Sequence, residues 1–135
     1  METRRAIQGL GEIALRVSDL DTMQHFYGDV IGLELLRRFP ESAFFRVAAG
    51  AAGHTQILAL FDRGEEDRPR PGRSPLDHLA FAIAAEDYDG EKARLEALGF
   101  SVTAAYHEWT QWRSLYVHDP EGNTVELVCY DPEVA

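Results

Sequence analysis

Glu12-Ile13-Ala14-Leu15-Arg16-Val17 returns in altered form 66 residues later as His78-Leu79-Ala80-Phe81-Ala82-Ile83, and an approximate repeat follows each copy. After the first copy come Ser18-Asp19-Leu20-Asp21, an amphipathic stretch with Met23, Phe26, Tyr27 and Val30 at helical spacing, and then Gly32-Leu33. After the second come Glu86-Asp87, a stretch with Leu95 and Leu98 one turn apart, and Gly99-Phe100. Gly32 and Gly99 are 67 residues apart, as are Ala59 and Glu126, so Ile57-Leu58-Ala59-Leu60 aligns with Thr124-Val125-Glu126-Leu127. A period this long means two similar supersecondary modules rather than a single irregular chain.

Local signals give each module the same order. In the first, Glu12 to Val17 alternate faces as a strand does, Ser18-Asp19-Leu20-Asp21 carries helix-opening chemistry, and Gly32 stands where a helix ends. Strands are predicted around 33–39, 43–48 and 55–61, separated by Pro40-Glu41-Ser42 and the Gly50 to Gly53 turn. In the second module, strands are predicted over 77–83, 101–106, 113–118 and 123–129, with a helix over about 87–98. Asp119-Pro120-Glu121-Gly122-Asn123 marks the hairpin between the last two. The expected class is α+β, with one domain over 1–135: a first βαβββ module over 8–61, a linker over 62–76 rich in Pro, Gly and charge, and a second module over 77–130.

Composition narrows the function classes. A net charge of −10 repels polyanions, so nucleic acid is an unexpected partner. Apolar residues make up 45% of the chain, an ordinary soluble composition. No apolar run approaches the roughly 20 residues that cross a bilayer, and Met1-Glu2-Thr3-Arg4-Arg5 lacks a signal-peptide core. The expectation is a cytoplasmic protein without a membrane partner. The lone Cys129 reads as a small core residue on a strand.

Strand parity then isolates the residues that need a chemical reason. Glu12, Ala14 and Arg16 share one face of the first strand, and His78, Ala80 and Ala82 share the equivalent face of the second module. Glu126 lies on the last strand, on the face shared with Thr124 and Val128. An ionisable group on the inner face of a sheet is costly unless paired or ligated. Glu12, His78 and Glu126 therefore need a reason to be there; Glu12 and Glu126 could be ion-paired, with Arg16 or Arg113 as partners, and His78 could be a hydrogen-bonded cleft residue.

Ile13-Ala14-Leu15-Arg16-Val17-Ser18-Asp19-Leu20, Phe26-Tyr27-Gly28-Asp29-Val30-Ile31-Gly32-Leu33, Asp77-His78-Leu79-Ala80-Phe81 and Asp119-Pro120-Glu121-Gly122-Asn123-Thr124-Val125-Glu126-Leu127, in this order, resemble the vicinal oxygen chelate superfamily. That superfamily contains glyoxalases, bleomycin resistance proteins, fosfomycin resistance enzymes and extradiol dioxygenases. The resemblance implies two βαβββ modules forming a curved mixed sheet around a cleft. Metal positions on the first and last strands of each module transfer to Glu12, Ala59, His78 and Glu126. Ala59 has no donor atom, which speaks against a four-ligand glyoxalase-type site.

The remaining set of one histidine and two carboxylates implies a divalent ion, with Fe²⁺ or Mn²⁺ favoured and Zn²⁺, Ni²⁺ or Mg²⁺ open. His107, Tyr116 and Glu126 have spacings of nine and ten residues. This looks like the extradiol dioxygenase branch, where the histidine and tyrosine are catalytic. Arg16, His54 and Trp112 are candidate substrate-binding residues; Arg16 could equally neutralise Glu12 or Glu126. Trp109 and Trp112 with Phe39, Phe44 and Phe45 could wall a pocket or pack in a core or dimer interface. The implied function is metal-dependent chemistry on a small oxygenated molecule, nearest to extradiol cleavage. The alternatives are a metal-free, bleomycin-resistance-like binding protein and a glyoxalase-like lyase or isomerase. A homodimer is expected, because short open sheets leave edges to cover.

Overall fold

The computed structural model describes residues 6–62, 64 and 76–133. The chain divides into two compact units, Met1–Arg70 and Pro71–Ala135. Of the linker expected over 62–76, residues 63 and 65–75 lie outside the described residues.

In the first unit, β1 (Glu12–Val17) is followed by α1 (Leu20–His25), β2 (Glu34–Phe39), β3 (Ser42–Ala49) and β4 (Thr55–Asp62). Asp19 opens α1 by accepting a hydrogen bond from the Thr22 amide at 3.1 Å, which satisfies one of the unpaired amides of the first turn. The chain then widens into π-type turns over Phe26–Ile31, burying Phe26, Tyr27 and Val30. Gly32 ends this stretch in the left-handed conformation, φ 99°. The strands form a sheet in the order β1-β4-β3-β2. β1 runs parallel to β4, with Ala14 opposite Ala59, and the other pairs are antiparallel. Leu15 and Val17 are buried while Glu12, Ala14 and Arg16 are exposed, the separation that strand alternation requires.

The second unit repeats the plan: β5 (His78–Ala82), α2 (Tyr88–Ala97), β6 (Thr103–His107), β7 (Trp112–His118) and β8 (Thr124–Tyr130). Its sheet order is β5-β8-β7-β6. The parallel pair places Ala80 opposite Glu126, as Ala14 stands opposite Ala59. Gly99 follows α2 at φ 95°, matching Gly32 in the first unit. Two βαβββ modules, each a four-stranded mixed sheet with one principal helix, make the protein α+β. No helix among the described residues is long and apolar enough to cross a membrane.

One detail of α2 departs from the expected pattern. Leu95 is fully buried but Leu98, at the C-cap, is 54% exposed, and the inward residues of the helix are Tyr88 and Leu95, two turns apart. One face of the second sheet is apolar and buried through Leu79, Leu115, Val117, Val125, Leu127 and Cys129. Cys129 is thus a core residue, and burial pushes its thiol up.

Candidate metal centre

The face of the second sheet opposite that core carries the ionisable residues. The β7–β8 register sets Tyr116 against Glu126 and Ser114 against Val128, while β5 brings His78 alongside Thr124 and Ala80 alongside Glu126. Side chains of one parity on three neighbouring strands therefore converge. Glu126 is only 5% exposed, a position that an unpaired carboxylate could not hold cheaply.

Both of its oxygens are met. Oε1 lies 3.1 Å from His78 Nε2, and Oε2 accepts a hydrogen bond from Ser114 Oγ at 2.5 Å. On the far side of the imidazole, His78 Nδ1 is 2.6 Å from Asp77 Oδ1. Two carboxylates thus face the two ring nitrogens. A doubly protonated ring satisfies that arrangement, and a neutral ring with its proton on Nδ1 satisfies it when a cation sits at Nε2.

Tyr116 and His107 complete the local array. His107 Nε2 and Tyr116 Oη are 2.9 Å apart, so either the phenol donates to a bare nitrogen or the ring N–H donates to the phenol oxygen. The Tyr116 ring stands edge-on to both His78 and His107, with centroids 6.3 and 6.5 Å away. Burial raises the phenol above its ordinary value; hydrogen bonding with Ser114 opposes this, and Glu126 adds to it by charge and hydrogen bond. Tyr116 therefore keeps its proton at neutral pH.

Arg113, one of the two arginines expected as an ion-pair partner for the glutamates, is engaged elsewhere. Its guanidinium lies 4.0 Å above the Tyr88 ring and pairs with Asp131 at 3.2 Å and Asp89 at 3.8 Å. Strand parity explains this, because residue 113 points to the face opposite Ser114 and Tyr116.

The other candidates belong to the first unit or to the end of the second sheet. Glu12 and Arg16 are exposed on one face of β1. Ala59, at the position equivalent to Glu126, is fully buried and offers no donor atom. His54 is an exposed turn residue before β4, its carbonyl accepting from the Gly50 amide at 2.7 Å. Trp112 is 43% exposed and Trp109 87%, so neither is a core residue. Phe45 is fully buried, while Phe39 and Phe44 meet edge-to-face at 5.9 Å. Among the described residues no group of three or more His, Cys, Asp or Glu side chains is arranged to hold a metal ion. The second unit brings together His78 and Glu126, backed by Asp77 and Ser114.

This pair suits a divalent ion. Two ligand atoms about 2.1 Å from one ion and at right angles to each other are about 3.0 Å apart, close to the 3.1 Å between His78 Nε2 and Glu126 Oε1. The backing hydrogen bonds are of the kind that orient metal ligands: a carboxylate on the second imidazole nitrogen and a donor on the second carboxylate oxygen. The sequence does not single out Asp77 for this site; Ser114, two residues before Tyr116 on the same strand, is expected by parity to face the same side as Tyr116, without an assigned role.

The model of the Glyoxalase/Bleomycin resistance protein/Dioxygenase superfamily matches residues 9–127, and the chain belongs to that superfamily. It is 31% identical over 121 residues to the glutathione transferase FosA of Serratia marcescens, covering 90% of this chain and 80% of that protein. It is 27% identical over 134 residues to an iron-dependent extradiol dioxygenase of Rhodococcus jostii, covering 94% of this chain but 45% of that protein. Among solved structures, a lactoylglutathione lyase of Agrobacterium tumefaciens superposes with a TM-score of 0.67 at 32% identity, covering 93% of this chain and 96% of that one.

Proposed function

We propose that this protein is a metal-dependent enzyme acting on a small molecule with adjacent oxygen donors. The observation that carries this reading is the convergence of His78 Nε2 and Glu126 Oε1 at 3.1 Å, each held from behind by its own hydrogen bond. Glu12 is the third ligand. A set of one nitrogen and two carboxylate oxygens favours Mn²⁺ or Fe²⁺ over sulfur-seeking metals.

The chemistry supplied by such an ion when bound is Lewis-acid polarisation of the substrate's oxygens and, for iron, access to O₂. In this reading His107 would take a proton from a bound hydroxyl, and Tyr116, kept neutral by burial, would donate one to an oxygen that becomes anionic; the hydrogen bond between them supports the pairing. Ring cleavage of a catechol-like substrate is the first reading, supported by the joined His107–Tyr116 pair beside Glu126. Transfer of glutathione to an electrophilic oxygenated molecule is the second, supported by the 31% identity to a glutathione transferase.

The test begins with metal content. Protein reconstituted with Mn²⁺ or Fe²⁺ should retain about one ion per chain, and His78→Ala or Glu126→Ala should abolish retention, because each removes a ligand and breaks the chelate. With Fe²⁺, O₂ uptake on a panel of catechols should fall on the order of 10²-fold in Tyr116→Phe or His107→Ala at unchanged metal content. Thioether formation from glutathione under Mn²⁺, without O₂ uptake, would select the transferase reading. Stoichiometric metal in no condition would overturn the metal reading and leave a binding protein.

A further inference from the structure

Glu126 does more than sit beside His78: its second oxygen is held by a buried hydroxyl. Ser114 is fully buried on β7. Its Oγ donates to Glu126 Oε2 at 2.5 Å, and its backbone carbonyl accepts a hydrogen bond from Tyr88 Oη at 3.0 Å. Tyr88 is itself 4% exposed, with the Arg113 guanidinium 4.0 Å above its ring. The serine is thus anchored through its main chain from the helix side of the sheet while its side chain acts on the opposite face.

A carboxylate turns easily about its last bond, and without such a donor Glu126 could present either oxygen or both towards His78. Because Ser114 occupies Oε2, only Oε1 is left beside the imidazole. Resting on the metal-dependent reading above, we propose that Ser114 is a positioning residue that makes Glu126 a one-oxygen ligand. The consequence concerns substrate. A metal held by His78 and one oxygen of Glu126 would keep more coordination positions open for a chelating pair of substrate oxygens. A glutamate binding through both oxygens would take one of those positions.

Ser114→Ala is nearly isosteric and removes only the hydroxyl. It should weaken Mn²⁺ binding, read by calorimetry, by about 10- to 100-fold, the range found when a partner of a metal ligand is lost. Tyr88→Phe, which removes the main-chain anchor and spares the hydroxyl, should lower the melting temperature and leave Mn²⁺ affinity unchanged. In the metal-free protein, the ¹⁵N resonance of His78 Nε2 should move in Ser114→Ala, because its carboxylate partner is free to turn, and hold its place in Tyr88→Phe. Unchanged Mn²⁺ affinity in Ser114→Ala, equal weakening in both variants, or an unmoved His78 resonance would each overturn the proposal. Failure of the unaltered protein to bind Mn²⁺ would overturn the metal reading alone, and the His78 resonance would still decide whether Ser114 orients Glu126.

Discussion

Tyr88 and Tyr116 flank the same short stretch of β7, one behind the sheet and one on its polar face. Burial is the largest influence on both phenols and raises each, while Arg113 works against the shift at Tyr88 and Ser114 works against it at Tyr116. A phenol raised in the folded state favours the folded protein fully while both states are protonated. That contribution is lost as pH climbs past the unfolded value of about 10 and towards the folded ones. Denaturant unfolding between about pH 9 and 11 should therefore show stability falling with pH. Tyr88→Phe should be less stable at neutral pH, where a hydrogen bond to Ser114 is lost, yet show a flatter alkaline decline. A decline as steep in Tyr88→Phe as in the unaltered protein would assign the alkaline loss to other groups.

At the level of elements, the β7–β8 turn is what brings Tyr116 into register with Glu126. Asp119 organises it. Its Oδ1 accepts from the amides of Glu121 and Asn123, both at 2.9 Å, and its Oδ2 from the Asn123 side-chain amide at 2.7 Å. The carboxylate is 4% exposed, so these bonds are shielded from water. Asp119→Ala should cost about 2–3 kcal/mol, since it strands amides whose acceptor was charged. Asp119→Asn, which keeps the Oδ1 acceptor, should lose less. Urea midpoints at constant m-value measure both, and a loss under about 0.5 kcal/mol in Asp119→Ala would mean that neighbouring strand pairing alone sets the turn.

For the whole molecule, the first sheet ends on β2, a strand exposed at every position from Glu34 to Phe39. Leu35, Leu36 and Phe39 are 39, 46 and 41% exposed. An edge strand carrying apolar side chains invites a partner, although Arg37 over the Phe39 ring and Arg38 bound to Asp21 and Gln24 supply guarding charge. The expected state is a homodimer, with sedimentation giving twice the chain mass of 15.1 kDa at micromolar concentration. Leu36→Lys should shift the equilibrium towards monomer if β2 lies in the interface. A single species at the chain mass would refute the dimer.

What could be read from the sequence was local or periodic. The two-module plan shows in recurring strand patterns because alternation is a property of consecutive residues. Gly32 and Gly99 announce their helix ends because the left-handed conformation they adopt, φ 99° and 95°, disfavours residues bearing a Cβ. Strand parity likewise put His78, Tyr116 and Glu126 on one face. Partner choice was not legible in the same way. Only strand pairing decided that Glu126 meets His78, 48 residues away, and Ser114, 12 residues away, while Arg113 stacks on Tyr88 behind the sheet. Which face of α2 is buried was likewise decided by packing, with Leu95 covered and Leu98 left exposed. Such pairings depend on register across the sheet and on how the helix meets it, and neither is encoded in the spacing of any single segment.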